Sequence, residues 1–268
     1  MKSTVEPRLS VCGITTRYQT FDEDVGVCCQ AGIDGISLWW DKIRHHGIAA
    51  GATLLRDAQL PAVSLVGLPS LLSAGAFDTL CEGLDACATL GARVMGVVPG
   101  NCEGRSQAHM LGATLEALAR LAEQARQRGV TLALEPVHAP YLDYLNTLAD
   151  ADRIVCTVDH PNLGLLFDAW HLCHEADLEA RIAQTARRIA LVHFSDWREP
   201  TRCHDDRLLP GDGVLPLAHW LRHLRRSGYQ GYFDVEVFSE DVWRANPLQN
   251  LKRCRTFFDD VWANPGPR

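Results

Sequence analysis

No run of about 18 apolar residues occurs in these 268 residues, so nothing in them is expected to span a membrane. The first seven residues, MKSTVEP, are polar and lack the apolar core of a secretion signal. There is no C-x-x-C pair, and the ten cysteines are scattered apart from the neighbours Cys28 and Cys29. That leaves no disulfide framework to read and points to reduced thiols in a reducing, cytoplasmic setting. Positive charge is scarce: 26 Lys and Arg stand against 33 Asp and Glu, for a net charge of −7. With a pI near 5.9, this weighs against a nucleic-acid backbone as the partner. No glycine-rich phosphate fingerprint follows the first strand-like run, so a doubly wound dinucleotide fold is the runner-up only. Low complexity is confined to residues 264–268, a tail expected to fray.

What is present is a steady alternation. At 47% hydrophobic and 22% charged, the chain has enough apolar surface for a sizeable core. Short apolar runs at 9–14, 33–38, 62–66, 94–98, 130–134, 163–167, 189–194 and 232–237 read as strands. Longer amphipathic runs follow each, near 22–31, 48–59, 77–90, 107–128, 147–155, 178–187, 215–226 and 248–262. The clearest helix carries Leu111, Leu115, Leu118 and Leu121 at helical spacing, with Gly129 where a C-cap glycine belongs. Strands too apolar to alternate belong to a parallel sheet covered on its outside. Eight strand–helix units predict an α/β fold, a single-domain (β/α)8 TIM barrel over about residues 9–262.

Four of these runs end in chemistry. They reach Glu135, Asp168 (with His171 beyond), His193 (with Asp196 beyond) and Glu236, the end at which a parallel barrel builds its active site. Each has a plainer explanation when taken singly. Glu135 could pair with an arginine, Asp168 could cap a helix, and His193 could be a hydrogen-bonded core residue. Two carboxylates alternating in Asp234-Val235-Glu236 are harder to explain as surface. Jointly, three carboxylates and an imidazole favour one divalent cation, Mn²⁺ first, with Mg²⁺, Co²⁺ or Zn²⁺ as the others.

The L-E-P at Glu135, F-D-x-x-H at Asp168, H-x-S-D at His193, the G-D-G of 211–213 and the V-E-V-F at Glu236 resemble the xylose-isomerase-like TIM-barrel superfamily. The resemblance runs over nearly the whole chain. It implies that Glu135, Asp168, His193 and Glu236 hold one metal, that Glu135 and Glu236 double as the acid–base pair, and that His171 contacts substrate. Ketose 3-epimerases of this group usually carry an arginine six residues after the strand-seven histidine. Here that place is Glu199, with Arg198 or Arg202 as candidate substitutes. The endonuclease IV branch needs further histidines, and the fourth strand ending, Val98-Pro99-Gly100-Asn101, offers none.

The expected activity is a metal-dependent isomerase or epimerase of a small keto-sugar or keto-polyol, acting through an enediolate. The alternative is a lyase or dehydratase sharing the first proton transfer. A non-catalytic sugar-binding barrel or a DNA-repair endonuclease ranks below both. The expected partner is a small carbohydrate-like molecule, with no nucleic acid and no membrane, and with a homo-oligomer left open. Trp39 and Trp40 could stack on substrate or merely pack. His138 and Tyr141 could reach substrate or cap their own loop. His45 and His46 read as a solvated helix start, and Arg225-Arg226 as a solvated helix end. The long connection 195–213 reads as a lid, with Arg202 and Arg207 gripping substrate oxygens; a surface salt-bridge network is its plain alternative. Asp212 reads as a cap for the next helix.

Overall fold

Eight parallel strands close on themselves into a ring, in the order of the strands that begin at Arg8, Tyr232, Ile189, Leu163, Thr131, Val94, Ala62 and Gly35, the last pairing with the first. The computed structural model describes residues 6–139, 141–203 and 206–263. The tail at 264–268, the loop residues His204 and Asp205, and the first five residues lie outside the described residues. The barrel strands are β1 (Arg8–Cys12), β2 (Gly35–Trp39), β3 (Ala62–Val66), β4 (Val94–Val97), β5 (Thr131–Leu134), β6 (Leu163–Asp168), β7 (Ile189–Phe194) and β10 (Tyr232–Val235). A two-stranded antiparallel ribbon, β8 (Asp196–Trp197) with β9 (Arg207–Leu208), stands apart from the barrel.

The outer helices are α1 (Phe21–Gln30), α2 (Trp40–His46), α3 (Ile48–Asp57), α4 (Ala76–Leu90), α5 (Gln107–Gln127), α6 (Leu148–Val158), α7 (Ala169–Leu172), α8 (Leu178–Thr185), α9 (Leu217–Arg226), α10 (Glu240–Arg244) and α11 (Pro247–Ala263). Their starts follow local chemistry. Thr20 and Glu23 form a reciprocal capping box on α1, and Ser106 and Thr147 cap α5 and α6 through their hydroxyls. Gly129, just past α5, takes a φ of +66°, the left-handed turn that glycine adopts without strain. Among the described residues no helix is long and apolar enough to cross a membrane. The cysteines are all free.

The expected barrel is what forms, and its departures from the sequence reading are local. The expected helix 48–59 is preceded by α2, broken from α3 at Gly47, whose φ is +96°. His45 and His46 therefore close a helix rather than start one; the His45 Nδ1 lies 2.5 Å from the Asp41 carbonyl, and His46 faces Asp22 at 3.1 Å. Lys42 of α2 reaches back to Asp24 of α1 at 2.8 Å and to the Thr16 carbonyl at 2.7 Å. Those contacts fix where α2 begins, and with it the preceding Trp39.

Candidate metal centre and active-site cavity

The site is assembled from four strand ends. The parallel ladder runs one residue past β5, where Glu135 N–H donates to the Val97 carbonyl at 2.9 Å. Asp168, the last residue of β6, is the register partner of His193 in β7, and His193 in turn faces Asp234 of β10. Glu236 follows Asp234 by two residues and so shares its face of the strand. The outcome is that Glu135, Asp168, His193 and Glu236 offer ligand atoms all within 4.8 Å of one another.

Asp168, His193 and Glu236 are buried and Glu135 is half-buried. Charges in such a place need compensation. His193 Nδ1 stands 3.4 Å from Glu236 and Nε2 stands 3.4 Å from Asp234, yet neither nitrogen makes a hydrogen bond of acceptable geometry. Three hard carboxylates around an imidazole without a hydrogen-bond partner suit a divalent cation.

The titration of the group reflects the crowding. Burial, then the charge of Glu236, lifts the Glu135 carboxyl to about 8. Burial also raises Asp168, against the pull of Arg207. At Glu236 burial acts upward, but His193 and Arg207 overrule it and hold the carboxyl at about 2. At His193 burial opposes protonation, while Glu236, Asp234 and Glu135 lift the ring to about 10.

Asp168 caps a helix, the plainer of the readings made of it, and also meets an arginine. Its Oδ1 accepts from Trp170 N–H at 2.8 Å and caps α7, while Oδ2 takes Arg207 Nη1 at 3.0 Å. The same Nη1 donates to Glu236 Oε2 at 3.1 Å. The guanidinium lies 4.5 Å from the Trp170 ring centroid and 4.9 Å from that of Phe238. Its Nη2 stands 3.2 Å from His171 Nε2. A guanidinium only donates, so this network assigns the proton of a neutral His171 to Nδ1, which meets His138 Nδ1 at 2.9 Å.

A cavity of about 350 Å³ opens over the cluster. Trp39, His171, Arg207, Glu135 and Glu236 line it, as does Tyr141. His138 sits behind His171, buried, and is not among the lining residues. Trp40 is buried in the main core.

The loop after β7 divides in two. Arg202, proposed from sequence as a substrate grip, is not brought to the cavity. It is half exposed and pairs with Asp206 at 2.5 Å and Asp241 at 2.5 Å. Arg198 pairs with the same two acids. Neither therefore supplies the arginine for which Glu199 left a gap; the arginine at the site is Arg207. Asp212 is not a cap, because the N-cap of α9 is Pro216, with no side-chain cap, and Asp212 binds Arg253 instead.

Asp196 organises the rest of the loop. Its carboxylate accepts from the amides of Trp197 at 2.9 Å, Gly211 at 3.0 Å and Leu215 at 3.0 Å. A Cβ on Gly213 would lie 2.3 Å from the Trp197 carbonyl, which explains the glycine in G-D-G. Asp196→Ala is expected to cost roughly 1–3 kcal/mol for each amide left unsatisfied. A thermal melt reads this directly, and an unshifted midpoint would remove Asp196 from the fold's supports.

Two contributors were not singled out from sequence, Trp170 and Phe238, and a third, Asp234, was noted beside Glu236 but given no role. Asp234 was legible in its i, i+2 spacing to Glu236, which places both on the inward face. The two aromatics adjoin site residues in F-D-A-W-H and V-E-V-F, but nothing in those strings says that a guanidinium lies between them.

The profile of the xylose isomerase-like TIM barrel family matches residues 26–259. An inosose isomerase of Bacillus velezensis is 27% identical, covering 90% of this chain and 91% of that protein. A ketose 3-epimerase of Arthrobacter globiformis is 28% identical, covering 83% of this chain and 73% of that one. The crystal structure of IolI with a bound zinc atom superposes with a TM-score of 0.85 at 22% identity, over 96% of this chain and 98% of that one.

Proposed function

The chain is an enzyme that belongs to the xylose isomerase-like TIM barrel family, and from that premise we propose that it is a divalent-metal-dependent isomerase or epimerase of a small keto-sugar or keto-polyol. One observation carries the reading. Glu135 and Glu236 both open on the cavity, from strands separated around the ring by β6 and β7, and they share the four-residue cluster with Asp168 and His193. On this reading, two carboxylates so placed address one carbon of the substrate from different sides.

Glu135, Asp168, His193 and Glu236 would hold the cation, with manganese first among the metals. When bound, it supplies Lewis acidity toward a carbonyl and its neighbouring hydroxyl, which makes the hydrogen on the hydroxyl-bearing carbon acidic. A carboxylate oxygen of one glutamate takes that proton, and the other group returns one. Return to the opposite face is epimerisation; return to the neighbouring carbon is aldose–ketose exchange. His171 faces the substrate beside the glutamates, Arg207 holds Asp168, Glu236 and His171 in place, and Trp39 closes the far wall. The inosose isomerase and ketose 3-epimerase likenesses support this class of substrate.

The deciding experiment incubates manganese-loaded protein in D₂O with inososes, ketoses and keto-glycosides. A product isomeric with its substrate and carrying carbon-bound deuterium is expected. Loss of water would favour elimination on the same scaffold, and no exchange with any of them would defeat the reading.

The cluster also sets how loading depends on pH. Without a cation, Glu135 holds its proton up to about 8 and His193 up to about 10, and both must lose it to act as ligands. Proton and metal compete, so affinity should rise with pH by about tenfold per unit for each proton displaced. Calorimetry of Mn²⁺ binding between pH 6 and 9, in buffers of differing ionisation enthalpy, checks this. A flat affinity with no proton release would contradict it.

A further inference from the structure

The mouth of the barrel is split in two by chemistry. The first four strands end in Cys12, Trp39, Val66 and Val97, with no charge or hydroxyl among them. The other four deliver Glu135, Asp168, His193 and Glu236. The cavity inherits the division: beyond the glutamates, His171, Tyr141 and Arg207, its side-chain wall is Trp39, Val66, Leu68, Val98, Val137 and Phe238.

One backbone acceptor on that side is already engaged. The Val98 carbonyl already accepts from Leu71 N–H at 2.8 Å. Gly67, at φ +80°, leaves room for the Trp39 indole; a Cβ there would lie 2.8 Å from it. Trp39 is thus laid against the backbone and set edge-on to Phe238 at 5.8 Å. Arg207, the arginine of the lining, is committed to Asp168, Glu236 and His171. No Lys and no second Arg lines the cavity among the described residues.

We infer that this site takes an unphosphorylated keto-polyol that turns an apolar flank, a deoxygenated carbon or the C–H face of a ring, to the Trp39–Val66–Leu68–Val98 wall. The inference rests on the isomerase or epimerase reading above. The Trp39 indole N–H is the one hydrogen-bond donor among these four side chains; a hydroxyl aimed elsewhere on the wall leaves water and finds no side-chain partner. Pockets of this kind disfavour an added hydroxyl by about 10²-fold at most. A phosphate dianion would have to take Arg207 away from two buried carboxylates.

The test uses manganese-loaded protein with D-fructose, D-tagatose, their 6-deoxy analogues and their 6-phosphates. Deuterium exchange gives kcat/KM, and calorimetry gives binding independently of turnover. The 6-deoxy member of each pair is expected to be favoured by about ten- to a hundredfold, and the phosphates neither to bind nor to exchange. Val98→Thr, nearly isosteric, should shrink the deoxy preference severalfold. That ratio of ratios cancels differences in open-chain content between the sugars. Exchange that favours the hydroxylated or phosphorylated members, or a preference unmoved by Val98→Thr, overturns the inference and leaves the isomerase reading standing. Absence of binding and exchange with every ketose and inosose overturns both.

Discussion

Glu135→Gln and Glu236→Gln are each expected to lower kcat by about 10²–10⁴ while the barrel stays folded, the usual loss when a general acid or base is removed. Glutamine keeps the length and shape of the side chain while removing its charge and its ability to exchange a proton, so metal content must be matched before turnover is compared. Stability should separate the two variants. At position 135 the change removes a carboxyl that burial and Glu236 already push up to about 8, so the metal-free protein should melt no earlier. At position 236 it removes the carboxylate that His193 and Arg207 stabilise, so the metal-free protein should melt earlier. Turnover, carbon-bound deuterium exchange and thermal midpoints give the comparison. Wild-type exchange in both variants would mean that another pair moves the protons.

Among the loop's arginines, Arg207→Ala should be the most damaging change for activity, and Arg202→Ala nearly silent. Arg207 is buried, donates to Asp168 and Glu236, and lies between two aromatic rings. Removing one partner of a buried ion pair typically costs about 3–5 kcal/mol, because the charges left behind are uncompensated. In the metal-free protein that penalty should appear in full and lower the thermal midpoint by several degrees. In the loaded protein it should shrink, and kcat/KM should fall by about 10²-fold as the acids and His171 lose their alignment. Arg202 is half exposed, and its pairs with Asp206 and Asp241 lie outside the cavity. Solvent screens the pair with exposed Asp241 to about 0–1 kcal/mol, and the buried Asp206 keeps its second partner, Arg198. Equal effects of the two substitutions on kcat/KM would show that the loop acts as one unit rather than through Arg207.

The barrel and the convergence of its four strand ends could be read from the sequence because each rests on a short-range rule. An apolar run of four to six residues bounded by Gly or Pro is a buried strand, and the residue that ends it stands at the mouth. Elements without such a rule went unseen. Helices α7 and α10 have four and five residues, too short to display a period of 3.6. The ribbon has two residues per strand, too few for an alternation. That last omission hid the choice among Arg198, Arg202 and Arg207. Asp206 and Arg207 are neighbours on extended chain and so face opposite ways: Asp206 collects the two outer arginines, and Arg207 turns inward. Which of the two turned inward depended on how β9 pairs with β8, a fact of tertiary structure.

The place of β10 between β1 and β7 has a consequence for the order in which the molecule is made. During synthesis the strands carrying Glu135, Asp168 and His193 can pair as soon as they emerge, but the ring stays open until β10 docks against β1, which emerged first. Its register brings Asp234 opposite Ser10 and opposite His193, and that same docking delivers Glu236. Sealing the barrel and completing the four-residue cluster are therefore one event. An unfinished or misregistered chain holds three of the four donors, so its failure to retain metal would mark it as not yet folded.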